Sequence, residues 1–467
     1  MALTASALAA RTPDTRDRYV DLLRVASLGT VVLGHWLMAA VGADGAVGNL
    51  LAVVPALQPL TWVLQIMPVF FFVGGFAHAL SYRSRPVYAV FLRTRLQRLL
   101  RPTMVFIAVW TAAALTVQLA GGDTGPTGVA LRLVAQPLWF IGIYLAMVAL
   151  TPPLLKLHER YGWGAFCALV AAAAGVDALR FAAGVPYVEF LNFAFVWLAV
   201  HQLGFLRADD RIRRPSALAV TGLAGAAALV ALGPYPLSMV GMPGEKVSNM
   251  APPTLALLCH ALWLVGAVEL LRGPGSRLAR RPAVWRAVVA ANGIAMTAFL
   301  WHLTAMLGVY GAMLALDVPL PAPASAAWWA QVPLRITAAA ALTALLVAAF
   351  RRFEIPAAVS GARSGTGAPG AGADGRSRPD HASPLAAPPR PSASPAPRRP
   401  GPATGSSPAA ALGITLCLLG VLGLSMTGFG GLLEGRSAVL IAVDVTAPAA
   451  IAMALGGWLL VERAGRG

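Results

Sequence analysis

Charge is scarce in this chain of 467 residues: Asp, Glu, Lys and Arg together make up 12% of it, while 58% of the residues are hydrophobic. A sequence so poor in charge cannot clothe an ordinary soluble surface. Cysteine is rarer still. Cys167, Cys259 and Cys417 stand apart from one another within apolar segments, which excludes a cysteine metal site and a disulfide-stapled secreted domain and leaves them as packing residues. Lysine occurs only at Lys156 and Lys246, and the abundance of Ala and Arg in its place points to a GC-rich bacterial genome. No Walker-type phosphate loop, separate soluble hydrolase cassette or convincing internal repeat is present.

What fills the chain instead is a succession of apolar segments of about 18–23 residues, the length that crosses a bilayer. They fall at 19–41, 59–81, 102–120, 136–155, 163–182, 188–206, 216–233, 253–271, 287–310, 328–350, 410–428 and 438–460. The fold class expected is therefore an all-α polytopic integral membrane protein, with ten spans, a break and two more. The first apolar stretch is too long for a signal peptide and holds Arg24 and His35, so it is expected to remain in the mature protein.

The formal charge of +17 would suggest nucleic acid in a soluble domain, but here the arginines crowd into alternate short loops, as topology determinants do. Nucleic acid is excluded as a partner on that ground. Arg11, Arg16 and Arg18 precede the first span, six arginines from Arg83 to Arg101 join the second to the third, and later even-to-odd loops repeat the pattern. The opposite loops carry little more than Asp44, Asp123, Arg132, Glu245, Lys246 and Asp317. This asymmetry predicts a cytosolic N-terminus and, with an even number of spans, a cytosolic C-terminus in a bacterial cytoplasmic membrane.

Four parts follow: a cytosolic segment 1–18, a ten-span core 19–356, a linker 357–409 and a two-span hairpin 410–467. The linker, which includes SGARSGTGAPGAG and PPRPSASPAPRRPGP, has too few apolar residues to bury a core and is expected to be disordered in the cytosol. Its basic composition suits contact with anionic membrane lipid. The extra two spans leave room for an oligomer or for regulation.

Within RYVDLLRVASLGTVVLGHW (18–36) stand Asp21, Arg24 and His35. A charge near the bilayer centre costs at least about 2.5–3.5 kcal/mol on insertion scales, so it needs a partner, water or a function. The eleven-residue step from Arg24 to His35 turns an α-helix by about 1100°, within roughly 20° of the same face, and climbs about 16.5 Å. Both side chains thus look into one interior. Asp21 can pair with Arg24 at i,i+3. Arg24 could equally snorkel to head groups, and His35 could be a hydrogen-bonded packing residue.

The spacing Arg24, ten residues, His35 resembles the first-span signature of the membrane acyltransferase-3 family. Further likenesses come in order: PVFFFVGGFAHALSYR (68–83), with Gly74 where many members have serine; FLRTRLQRLLRPTMVF (91–106); PLWFIGIYL (137–145); and FLWHL (299–303). They cover roughly 18–350. The resemblance implies an acyl-CoA donor substrate approaching from the cytosol, no bound cofactor or metal, and an exported hydroxyl-bearing acceptor such as a cell-envelope glycan. O-acetylation is the simplest such reaction. It also implies His35 as catalytic base; an imidazole can take the proton from an attacking hydroxyl or accept the acyl group itself.

Arg24 and the run Arg93, Arg95, Arg98 and Arg101 could grip donor phosphates, although positive-inside charge explains that run as well. His302 could contact His35 or a substrate, or simply pack. His201, with Gln202, could touch the donor or cap a helix. Trp139 could meet substrate or belong to an interfacial aromatic belt. Asp177 and Arg180 are expected to satisfy each other, and Asp444 is left without an evident partner. The competing functions are a transporter relaying protons through His35 and His302, and a non-catalytic envelope scaffold.

Overall fold

Asp17 opens the first long helix, α1 (Arg18–Met38), by accepting the backbone N–H groups of Tyr19 and Val20. Two of the donors that a helix start leaves open are thereby closed. A computed structural model describes residues 5–10, 12–13, 16–42, 45–121, 125–242, 244–354, 408–440 and 443–464. After α1 come α2 (Met67–Ser84), α3 (Tyr88–Leu119), α4 (Pro137–Tyr161), α5 (Trp163–Phe181) and α6 (Asn192–Ala208). Then follow α7 (Pro215–Leu232), α8 (Leu255–Leu270), α9 (Ala295–Ala315), α10 (Ala326–Phe350), α11 (Pro408–Thr427) and α12 (Ala447–Ala464). Among the described residues, strand is confined to two small antiparallel pairs, β1 (Ala39–Val41) with β2 (Val47–Asn49) and β3 (Ser437–Leu440) with β4 (Val443–Thr446).

The protein is an all-α polytopic membrane protein. Ten helical segments among the described residues are long and apolar enough to cross a bilayer, or eleven if α8 and Arg272–Arg280, bent by 57°, form one span. Several expected boundaries change: α3 starts at Tyr88 rather than at 102, and the segment 59–81 is interrupted before α2 begins at Met67. The segment 287–310 is split, because Pro282–Asn292 is a helix of its own and α9 starts only at Ala295. The segment 438–460 is also wrong at its start: Ser437–Thr446 folds back as β3 and β4, so the helix begins at Ala447. Asp444 is consequently an exposed strand residue rather than a charge inside a span. The final helix, with Glu462 and Arg463 near its end, is not among the ten. The linker 357–409 lies outside the described residues apart from its last two, which open α11.

Small residues set the helix crossings. At the contact of α2 with α6, a Cβ on Gly75 would run into the carbonyl of His201, and one on Gly204 into the carbonyl of Phe72. Helices in lipid gain nothing from hiding apolar surface, so close van der Waals contact of this kind supplies much of their attraction. The aromatic residues of three sequence motifs then meet. Phe140 lies 5.0 Å from Phe70, 5.4 Å from Phe71 and 4.8 Å from Phe299, centroid to centroid. This cluster joins α2, α4 and α9 directly beside His302, whose ring is 5.6 Å from that of Phe299.

Helices α11 and α12 belong to the same compact unit as α1 to α10. Leu422 of α11 fills the notch left by Gly142 of α4. Phe429, fully buried, packs on Phe106 and Trp110, while its N–H donates to the carbonyl of Leu131 over 2.9 Å. Arg101 of α3 reaches Glu462 of α12 at 3.5 Å.

Candidate active site

His35 sits in the last turn of α1 and His302 two turns into α9. Nδ1 of His35 lies 2.9 Å from Nε2 of His302, with the rings stacked at 5.0 Å between centroids. His302 is completely buried. Its Nδ1 faces the carbonyl of Phe299, which can only accept, so Nδ1 carries the proton and Nε2 of the neutral ring is an acceptor. His35 must therefore donate from Nδ1. Its own Nε2 is left as the unprotonated nitrogen, and it is this lone pair that can take a proton from a substrate. Trp36 secures the arrangement by donating from Nε1 to the backbone carbonyl of His302 over 3.1 Å.

The start of α9 is held from a distance. The Glu354 carboxylate, just beyond α10, accepts from the N–H of Met296 and from both the N–H and hydroxyl of Thr297, at 2.6–3.1 Å. A negative charge at a helix N-terminus is stabilising, by roughly 0.3–1 kcal/mol at exposed sites. Burial nevertheless pushes the Glu354 carboxyl above the usual range, against the pull of its hydrogen bonds to Thr297 and Met296.

Toward the start of α1, Arg24 pairs with Asp21 at 3.1 Å, as the i,i+3 spacing predicts, and Asp21 also accepts from Arg16 at 2.6 Å. The Arg24 side chain stays about one quarter exposed. The four arginines of α3 divide. Arg95 turns inward, with Nη2 3.5 Å from the carbonyl of Ala77 and within electrostatic range of Arg24 and Tyr144. Arg93 and Arg98 are exposed, and Arg101 is engaged with Glu462.

Beside Arg24 and Arg95 lies a second imidazole pair that sequence reasoning missed in part. Nδ1 of His78 lies 3.0 Å from Nε2 of His201, and Nε2 of His78 lies 3.0 Å from the Tyr144 hydroxyl. Both histidines are fully buried. His201 is thus an interior partner of His78 and not a helix cap. The signal for His78 was available, an isolated histidine within the apolar motif PVFFFVGGFAHALSYR.

Other expectations resolve as follows. Gln202 bonds His158, which in turn meets Asp209 at 2.8 Å, while Asp209 grips Arg83 at 2.6 Å; this chain ties together the ends of α2, α4 and α6. Trp139 packs 6.4 Å from Trp197 and 6.4 Å from Phe140, at the edge of the aromatic cluster. Asp177 is satisfied by Asn192 at 2.8 Å, Tyr235 at 3.0 Å and the Leu255 N–H at 2.7 Å. The expected Asp177–Arg180 pair does not form; Arg180 lies over Phe181 instead. Among the described residues, no cluster of three or more His, Cys, Asp or Glu could hold a metal ion.

The chain is thus a multi-helix membrane bundle that carries an oriented imidazole pair near the end of α1 and the Arg24 and Arg95 side chains toward its start. The chain belongs to the acyltransferase-3 family: the family model Acyl_transf_3, described as an acyltransferase domain, matches residues 17–352. It is accordingly an acyltransferase, and the matched region takes in α1 to α10. No curated protein and no solved structure matches the chain.

Proposed function

We propose that the protein is an O-acyltransferase that moves an acetyl or other short acyl group from cytosolic acyl-CoA to a hydroxyl of an exported glycan, glycolipid or related acceptor. The observation that carries this reading is the oriented pair His35 and His302, standing about 16.5 Å along α1 from a cationic cluster of Arg24 and Arg95. The cationic end suits the phosphates of a CoA donor, since guanidinium groups grip phosphate oxygens in two directions.

In the step proposed, the acceptor oxygen attacks the thioester carbonyl carbon while Nε2 of His35 takes the hydroxyl proton. The carbon–oxygen bond forms and the carbon–sulfur bond breaks. The sulfur leaves with the electron pair and recovers that proton from His35, giving free CoA. His302 acts as a positioning residue, holding the tautomer and stabilising the charged imidazole as the proton arrives.

The loop charges support an N-terminus in the cytosol of a bacterial cell, so that Arg24 and Arg95 face the donor side and His35 the acceptor side. The test is release of free CoA from acetyl-CoA by purified full-length protein, with and without a total extract of exported glycans and glycolipids. Release that depends on the extract, with a matching acyl mass added to one of its components, is the expected result. CoA release unaffected by any acceptor fraction, or none at all from folded protein, would overturn the reading.

A further inference from the structure

Arg335 lies in the third turn of α10 and is only 6% exposed, yet no carboxylate among the described residues comes within ion-pairing distance of it. Its partners are all neutral. Nη1 donates to the Tyr310 hydroxyl over 2.9 Å and Nη2 to the Trp328 carbonyl over 2.7 Å, and the guanidinium lies 4.5 Å from the ring centroid of Trp328. Its buried Nε–H has no partner. A guanidinium cannot shed its proton, and a buried charge without a counter-ion is costly, so an arrangement of this kind favours any anion that can reach it.

The side chain borders a groove shared with Trp36, Met306, Tyr310 and Trp328. Trp36 follows His35 directly and holds His302. Tyr310 lies eight residues beyond His302, about 12 Å along α9, and donates its hydroxyl to the carbonyl of Ala39 over 3.0 Å. Contacts of His35 with His302 and of Ala39 with Tyr310 show that α1 and α9 run side by side in the same direction. The groove is therefore on the opposite side of the imidazole pair from Arg24. The groove is narrow, so a ligand enters only when its aromatic side chains turn aside.

We infer that Arg335 is the anion-recognition residue of the acceptor site, and that the acceptor is a hydroxyl compound carrying a carboxylate or phosphate. The inference rests on the acyl-transfer reading for the word acceptor, but the anion site itself does not. The anion pairs with the free edge of the guanidinium, and the indole of Trp36 on the same groove offers an apolar face to a sugar ring. The hydroxyl to be acylated then lies toward His35.

The test measures equilibrium binding of three probes to purified full-length protein: methyl glucuronide, glycerol phosphate and neutral methyl glucoside. Wild type should bind at least one anionic probe ten or more times more tightly than the glucoside. R335Q should lose that preference, R335K should keep part of it, and H35A, though inactive in transfer, should bind within about threefold of wild type. In transfer assays R335Q should raise the acceptor KM more than it lowers kcat, which a purely structural arginine would not do. Equal binding of charged and neutral probes by wild type overturns the inference, and this comparison needs no variant to fold. Unchanged anion preference in folded R335Q overturns it too. So does displacement of both probes by phosphatidylglycerol in nanodiscs, which would assign the groove to a lipid head group. Arg335-dependent anion binding in a protein that transfers no acyl group would leave the site standing and remove the acyl-transfer reading alone.

Discussion

His302 donates from Nδ1 to the carbonyl of Phe299, one turn earlier in α9, and this local bond decides which nitrogen of His35 is basic. A residue on one helix thereby sets the protonation pattern of a residue on another. The relation yields a graded expectation. Replacing His302 by Gln leaves an amide oxygen able to accept from Nδ1 of His35, whereas Ala leaves none. Steady-state CoA release should fall about 10²–10⁴-fold in His302→Ala and distinctly less in His302→Gln. Equal loss in two folded variants would show that orientation of His35 does not depend on this bond.

His35→Ala should insert and fold, since alanine is the best helix former and His35 lies on a partly exposed face, but should transfer no acyl group above background. The comparison is CoA release at matched amounts of monodisperse protein. Residual transfer near the wild-type level would move the base to another residue.

Arg24 and Arg95 should act together on the donor. Alanine at either position should lower kcat/KM for acyl-CoA while sparing that for the acceptor, and Arg24→Lys should restore only part, because an ammonium lacks the planar fork. Arg93→Ala, which alters an exposed side chain, should leave both constants within about twofold. Parallel loss in donor and acceptor constants would instead mark Arg24 and Arg95 as supports of the fold.

Gly204→Leu should break the crossing of α2 and α6, because a side chain there meets the backbone of Phe72 and Phe76. Overpacking costs typically about 1–3 kcal/mol, and backbone clashes relax less easily than side-chain ones. Thermal unfolding in detergent should shift to lower temperature, with loss of transfer as His78 and His201 separate. A variant with unchanged midpoint would show that this crossing is loose.

Topology can be read by single cysteines in a background lacking Cys167, Cys259 and Cys417. A cysteine at Lys246 should react with an impermeant reagent in intact cells, and one at Arg277 only after the membrane is opened. The reverse pattern would turn the donor and acceptor sides around.

The sequence by itself determined the class of protein and its level of organisation. Apolar runs of bilayer length can be satisfied only as helices, because lipid offers backbone groups no hydrogen bonds, so most helices fall close to where hydropathy alone puts them. The spacing of Arg24 and His35 is a property of one helix and was equally legible, as was the i,i+3 pair of Asp21 and Arg24. Boundaries failed where local chemistry interrupts an apolar run, at the break before Ala295 and at the strand pair before Ala447. Tertiary structure alone decided which distant groups meet. Nothing in the chain 267 residues apart says that His302 faces His35, that Asp177 prefers Tyr235 and Asn192 to the nearer Arg180, or that Arg95 and not Arg93 turns inward. Those choices depend on the rotation of each helix about its axis, which is fixed by close packing at positions such as Gly75 and Gly204 and by the aromatic contacts of Phe140, and packing is a relation between helices that no single segment carries.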